Sequence, residues 1–453
     1  MNQERQNYQE QRVLAPSLPP ARKANRTRAA SMAGTMAEAY DFALYGASAG
    51  LIFPRLFFGT LPPETGAMLA FAILLGGYAA RPLGGVVFGH FGDKYGRRSV
   101  LFATLITMGA ATFLMGLLPT TDQIGVIAPI ILVALRVVQG LAYGGEWAGA
   151  TLMSMEHSPK NQRGLGASIA AMGGPAGSLM AALVLGIVSM LPEEQLFAWG
   201  WRLPFILSIF VVAFGLWLRL GVEESPEFQE VDTKAIKEPA PILRVLTAYP
   251  RQVIVGVMVG TGTLFVQGLI AAYMIPYLVG RGDIDRTTAL MLFSLSSALQ
   301  IFAVPFFAAL SDKVGRKRWL ISANAASLVL IWPVFVLFNS RSIPLIGLAF
   351  VLGNVLIVCA TYGPFGAYLG EKFEVRSRYT GVSLSYQLAA IFGAGMAPAL
   401  AEAIVGKGST TPVVLLISAL FAVASLATAK GSNGNKTNEP ALENKDEPAL
   451  ENN

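Results

Sequence analysis

Runs of mostly apolar residues alternate with short polar stretches along this chain. The runs fall at roughly 32–58, 66–90, 99–118, 125–155, 165–191, 201–221, 251–280, 288–310, 319–338, 343–370, 379–406 and 411–429. Each approaches or exceeds the roughly twenty residues that a helix needs to cross the hydrocarbon of a bilayer. The pattern predicts an all-α integral membrane protein of twelve transmembrane helices, several of them broken by Gly and Pro. An even number of crossings puts both ends of the chain on one side.

Two short motifs recur at nearly one offset. Gly89-His-Phe-Gly-Asp93-Lys-Tyr-Gly96-Arg97-Arg98 returns as Ala308-Ala-Leu-Ser-Asp312-Lys-Val-Gly315-Arg316-Lys317, with the aspartates 219 residues apart. Glu156 to Arg163 returns as Glu371 to Arg378, 215 residues on, each with a glycine shortly afterwards (Gly164, Gly381). Such a repeat divides the chain into two pseudo-symmetric bundles of six helices. The expected units are a disordered tail over 1–31, bundles over 32–221 and 251–429, a charged linker loop over 222–250 and a second disordered tail over 430–453. In that last tail Glu439-Pro-Ala-Leu-Glu-Asn444 recurs as Glu447-Pro-Ala-Leu-Glu-Asn452.

Composition agrees. In 453 residues, 53% are hydrophobic and only 14% charged, with a mean hydropathy of +0.53, far from soluble averages. A formal charge of +6 would fit a nucleic-acid binder only if it were clustered on a soluble surface. Instead, 25 of the 34 lysines and arginines fall in the tails and in the loops after helices 2, 4, 6, 8 and 10. Positive residues stay inside, so both tails are expected in the cytoplasm and the protein in a bacterial cell (inner) membrane. Cys359 is the only cysteine, and His90 and His157 fall at predicted helix ends, so neither a disulfide nor a metal site is expected. With no phosphate-binding glycine loop and no nucleophile–base set, ATP coupling and enzymatic catalysis are not expected, and no cofactor beyond a proton gradient.

Charges within the apolar runs are costly and therefore mark function. Asp41 lies ~15 Å into the first helix by helical rise, and Glu38 shares its face one turn nearer the cytoplasm. Asp41 is read as the proton-coupling site, with Glu38 either passing the proton or sitting in a wet vestibule. Arg136 reaches similar depth in the fourth helix, and its planar fork suits a carboxylate. Arg81, ~18 Å above the first hairpin, is a second candidate anion contact. Glu146 lies nearer the inner end of helix 4, where it fits proton transfer or a stabilising pair. Gln139, Gln267, Tyr273, Asn354, Tyr362 and Gln387 are polar residues within apolar runs; each could orient substrate or simply tie helices together. Asp93, Gly96, Arg97 and Arg98, with Asp312, Arg316 and Lys317, lie too near the surface to bind substrate. They are read as a cytoplasmic gate, against the plainer reading of turns that set topology.

The hairpins resemble the signature of the major facilitator superfamily, and Arg136-Val-Val-Gln139-Gly140 is similar to its second motif. A further set resembles the superfamily's metabolite:proton symporter family, which includes α-ketoglutarate-, shikimate- and proline/betaine-type permeases. The set comprises Glu38-Ala-Tyr40-Asp41-Phe42, Arg81-Pro-Leu-Gly-Gly85, Gly144-Gly-Glu146-Trp147, Trp199-Gly-Trp-Arg-Leu-Pro-Phe205 and Glu224-Ser-Pro-Glu-Phe228. Tyr40, inside the first of these, joins the substrate-binding candidates. The resemblance implies a six-plus-six helix fold and proton-driven uptake, working as a monomer on a small molecule and protons. Tyr362-Gly-Pro-Phe-Gly-Ala-Tyr368 and Arg378-Tyr-Thr-Gly381 look like the shikimate- and aromatic-acid-type members. Ala308 stands where the hairpin motif has glycine, and the final tail lacks the coiled coil of osmosensing members. The expected function is a proton-coupled symporter of a small organic acid anion, either a dicarboxylate or a shikimate/aromatic acid. The alternatives are an importer of a zwitterionic osmolyte such as proline or betaine, and a receptor that does not transport.

Overall fold

A computed structural model describes residues 21–95, 97–144, 146–156, 158–219, 241–405 and 408–431, and it contains helices and no strand among them. Twelve helical passes follow one another. In the first half these are α1 (Ala21–Leu51), α2 (Pro63–Tyr95), α3 (Arg97–Leu117), α4 (Ile127–Tyr143 with Glu146–Glu156), α5 (Arg163–Ala171 with Gly173–Val188) and α6 (Arg202–Arg219). In the second they are α7 (Pro250–Gly268, Leu269–Met274 and Ile275–Gly280), α8 (Arg286–Val314), α9 (Arg316–Phe338), α10 (Ile343–Val351, Leu352–Cys359 and Ala360–Gly370), α11 (Val375–Ala390, Ile391–Gly395 and Met396–Val405) and α12 (Thr411–Lys430).

Nine described helices are long and apolar enough to span a bilayer, and α6 with the helical stretch Glu193–Gly200 before it makes a tenth, bent by 47°. The remaining two have evident reasons for falling short. α1 carries Glu38 and Asp41 among small residues, and the described side chains of α3 begin only at Phe102. α1 also starts at Ala21, ten residues inside the segment expected as a tail, where Ala, Arg and Lys are good helix formers. Most of the expected linker and most of the final tail lie outside the described residues; the linker's end, Pro241–Ala248, is helical.

The pairing of helices reproduces the repeat. α1 packs on α5 and α6, α2 on α4, and α3 on α6; one half later α7 packs on α11 and α12, α8 on α10, and α9 on α12. Between the halves, α5 runs along α8 and α2 along α11, which are exchanged by the same two-fold relation. Each half is thus a bundle, the two meet along a seam, and their buried apolar residues form one continuous cluster.

Glycine decides how closely helices approach. A Cβ on Gly84 would overlap the carbonyl of Leu141, and one on Gly140 the carbonyl of Gly77, so α2 and α4 are in backbone contact. Gly77 also leaves room for the stem of Arg136, whose Nε would lie 2.7 Å from a Cβ there. In the second half, π-helical turns interrupt α7, α10 and α11. Pro276 and Pro398 lack the N–H that would bond back to Ala272 and Ala394, and the backbone widens at those points. The two widened stretches touch at Gly268 and Ala394.

Candidate functional site

Asp41 and Arg136 lie fully buried in the first bundle, and with Glu38, Arg81 and Glu146 they make a set of ionisable side chains that the apolar core encloses. They sit on α1, α2 and α4, brought together by the glycine-mediated contact of α2 with α4. Arg136 donates to Gln139, and Gln139 Nε2 donates onward to the Thr112 hydroxyl on α3 at 2.6 Å. Arg136 Nε and its second terminal nitrogen make no hydrogen bond, and Thr112 and Gln139 stand within hydrogen-bonding reach of the Asp41 carboxylate. Thr112, Arg136, Gln139 and Glu38 all lie within electrostatic reach of Asp41. The central acid and base are therefore neighbours, and Arg136 keeps two unbonded nitrogens.

Aromatic rings complete the shell. The guanidinium carbon of Arg81 stands 3.9 Å from the ring centroids of Phe42 and Tyr78 and 3.8 Å from that of Tyr143. That of Arg136 lies 3.9 Å from Phe42 and 4.2 Å from Tyr45. A desolvated cation over a ring face gains about 2 kcal/mol. The rings offset the cost of burying two like charges and do so without consuming N–H donors.

The second bundle supplies a neutral wall. Tyr362 accepts a hydrogen bond from Trp147 Nε1 at 3.1 Å, and the Trp147 and Tyr386 rings stack with centroids 3.5 Å apart. Gln387 Nε2 donates to the Gly144 carbonyl at 3.1 Å. These contacts cross from α4 to α10 and α11. Glu146, one residue from Trp147, is buried beside them.

The face where α1 begins and α12 ends is closed by polar links between the halves. Asp312 accepts from the backbone N–H groups of Gly164 and Leu165, both at 3.0 Å, and so sits on the N-terminus of α5. Arg316 donates to both Asp312 and Glu371, and Arg378 pairs with Glu156 at 2.9 Å. The opposite face is closed by packing, with Gly50 against Pro276, Gly46 against Ala272, and Phe71 against Tyr273. Among the described residues, contacts between the halves thus bridge both faces.

Other sequence candidates are dispersed. Tyr40 turns to α6 and donates to the Pro204 carbonyl at 2.6 Å. Asn354 is tied to Ser296 at 2.8 Å within the second bundle. Tyr273 stacks on Tyr277, and Gln267 is half-buried on α7. Lys317 donates to the Gly431 carbonyl at 2.8 Å. Gly96 and the side chains of Asp93, Arg97 and Arg98 lie outside the described residues. Sequence reasoning gave no role to Thr112, Tyr45, Tyr78, Tyr143 or Tyr386. Helical spacing could have found three of them, since Tyr45 is four residues past Asp41, Tyr78 three before Arg81 and Tyr143 seven past Arg136.

Two six-helix bundles closed around a buried charged centre define a secondary transporter. The Major Facilitator Superfamily matches residues 31–393, and the chain belongs to that family. It is 34% identical over 421 residues to the Shikimate transporter of Escherichia coli (strain K12), covering 90% of this chain and 95% of that one. It is also 34% identical over 391 residues to a Putative proline/betaine transporter of Staphylococcus aureus (strain COL), covering 85% and 83%. Among solved structures, that of a D-xylose-proton symporter superposes with a TM-score of 0.71 at 18% identity, over 91% of this chain and 99% of that one. The fold and class expected from the sequence hold, and the chain is a multi-pass membrane transporter, not an enzyme.

Proposed function

We propose that this chain is a proton-coupled symporter that takes up a small organic acid anion by alternating access. The observation that carries the reading is the juxtaposition of Asp41 and Arg136, both buried, with two Arg136 nitrogens uncommitted. Arg136 offers a fork to a carboxylate, and Asp41 binds and releases the proton as its surroundings change between conformations. Glu38 and Glu146 lie on the way to the face that bears the chain ends and relay the proton, and Asp312 with Arg316 latches that face. Each proton moving inward supplies ~2.3 kcal/mol per 100 mV of membrane potential. The positive-inside pattern supports a cytoplasmic location for that face, in a bacterial inner membrane, with one chain as the working unit.

The wall from the second bundle is neutral and aromatic, formed by Tyr362, Tyr386 and Gln387. Arg81 acts electrostatically on both tyrosines, so one or two carboxylates can be met there, and the aromatic wall suits a flat, hydroxyl-bearing body, as the likeness to the Shikimate transporter supports. A second reading, import of a zwitterion such as proline or betaine, draws on the acid beside the base, since Asp41 can meet a cationic nitrogen while Arg136 meets the carboxylate.

Uptake into proteoliposomes tests both. Shikimate-type acids, dicarboxylates, proline and betaine are compared with and without an imposed inward proton gradient. Accumulation of the cyclic hydroxy acid only under the gradient is the expected result; accumulation without a gradient would overturn proton coupling.

A further inference from the structure

Gln387 stands beside Tyr386 on α11, one turn before the widened stretch Ile391–Gly395. Its Nε2 donates to the Gly144 carbonyl on α4 at 3.1 Å, and Ser383 Oγ, one turn earlier on α11, donates to the same oxygen at 3.3 Å. A carbonyl oxygen only accepts, so the amide nitrogen has to face Gly144 and the amide cannot be turned over. Its oxygen is thereby fixed on the other side. Gly144 gives that amide a firm anchor, because a Cβ there would stand 2.0 Å from the Arg81 carbonyl and 2.3 Å from the Gly85 nitrogen, which seats this turn of α4 directly on α2. Gln387 is 2% exposed, and its Oε1 has no hydrogen-bond partner. A buried acceptor left unpaired carries the full cost of its lost hydration. Tying α11 to α4 accounts for the nitrogen and leaves the oxygen to be explained.

We propose that Gln387 Oε1 is the acceptor that selects the cargo: the substrate is a hydroxy acid whose hydroxyl donates to Gln387 while its carboxylate meets Arg136. This rests on the reading of the chain as an organic-acid transporter and names the class of acid within it. A keto or carboxylate oxygen placed at Oε1 would set acceptor against acceptor, and a methylene would leave Oε1 unpaired in a dry site. A site built to bond a hydroxyl rejects the analogue lacking it far more strongly than an apolar pocket rejects a missing methylene, because the polar group of the site stays behind unsatisfied. The tyrosine hydroxyls of the same wall, Tyr362 and Tyr386, are softer filters. Each can turn to donate or accept, whereas an amide oxygen only accepts. One or two carboxylates are compatible with this arrangement; a hydroxyl is required. A fully methylated ammonium such as that of betaine has no proton to offer and is excluded on the same ground.

The test is isothermal titration of the full chain in detergent at one pH and without a gradient, so that its result is independent of proton coupling. Two pairs of acids differ only in hydroxyls: shikimate against cyclohexenecarboxylate, and malate against succinate. In at least one pair the hydroxy acid should bind about tenfold or more tightly than its partner. Gln387→Leu should bring that ratio below about threefold, chiefly by weakening the hydroxy acid; if that variant fails to fold, Gln387→Met, of similar length and with only a weak acceptor, should do the same. Ser383→Ala removes the other bond to Gly144 and leaves the acceptor in place, so the ratio should stay within about twofold of the unmodified chain, which separates recognition from the tie between helices. Ratios near one for both pairs in the unmodified chain, or a ratio that survives loss of the Gln387 amide, would overturn the proposal while leaving the organic-acid reading intact. Absence of binding by all four acids would overturn that reading and the proposal with it.

Discussion

The Asp312 carboxylate rests on the backbone N–H of Gly164, 3.0 Å away in the opposite bundle, and its second oxygen takes the next N–H, that of Leu165. A Cβ on Gly164 would come within 2.7 Å of Asp312 and 2.8 Å of Arg316, so only glycine lets the carboxylate seat on the helix end. Hydrogen bonds to a charged group contribute about 1.5–3 kcal/mol each, less where water competes. Asp312→Asn keeps the shape but loses the charge, and should shift the balance toward opening of this face by on the order of 1–3 kcal/mol. Thr151, which meets Gly366 across the seam and is buried, is a suitable reporter. In a Cys359→Ser background, Thr151→Cys should react with maleimide several-fold faster when Asp312→Asn is present. An unchanged rate would remove Asp312 from the latch.

Asp41 gives a different signature. Asn at that position imitates the protonated acid, so loaded transporter should still change conformation while net proton movement stops. Asp41→Asn should therefore retain exchange of external for internal substrate within about threefold of the unmodified chain and lose gradient-driven accumulation. Accumulation surviving in well-folded Asp41→Asn would exclude it as the proton carrier. Glu38→Gln, one turn away, should slow accumulation without abolishing it.

The α2–α4 contact makes a prediction about stability. Gly84→Val would drive a side chain into the carbonyl of Leu141, and the helices must part; overpacking of this kind costs about 1–3 kcal/mol or more. Gly76, on the same helix, has open space where its Cβ would stand. Gly76→Ala should stabilise by roughly 0.5–1 kcal/mol through helix propensity alone. Thermal unfolding in detergent should thus move down for Gly84→Val and up for Gly76→Ala. Equal midpoints would show that the backbone contact is not limiting.

Much of this arrangement was legible in the sequence because hydrocarbon imposes strong rules on it. Twelve helices follow from the length of apolar runs, the two repeats from motifs that recur at nearly one offset, and the central Asp41 and Arg136 from the cost of buried charge. Tyr40 and Asn354 were harder, because a polar residue in an apolar run is equally at home tying helices together. Both do so here, on Pro204 and Ser296. The aromatic cage was missed for the converse reason: Tyr45, Tyr78 and Tyr143 look like ordinary core until the arginine above them is located. The hairpin copy with Ala308 is the weaker match to its motif, yet it supplies the link to α5. That link depends on the partner helix's N-terminus, which no local motif encodes. The widened turns of α7, α10 and α11 were likewise visible only as scattered Gly and Pro.

The two arginines differ in a way that separates recognition from scaffolding. Arg81 is enclosed by Phe42, Tyr78 and Tyr143, whereas Arg136 has two ring neighbours and two unbonded nitrogens close to Asp41. Arg136→Lys keeps a positive charge but replaces a planar fork by a point charge, and an ammonium cannot reach Gln139 and a carboxylate in the same plane. Loss of one charge-assisted hydrogen bond, about 1.5–3 kcal/mol, corresponds to roughly 10- to 150-fold weaker anion binding. The maximal rate of exchange at saturating substrate should fall much less. Arg81→Lys still places a cation among the three rings, so it should change affinity by less than about fivefold and act mainly on stability. Isothermal titration of both variants decides the matter. Equal losses of affinity would make the two arginines joint anion contacts, and unchanged affinity in Arg136→Lys would take Arg136 out of the binding site.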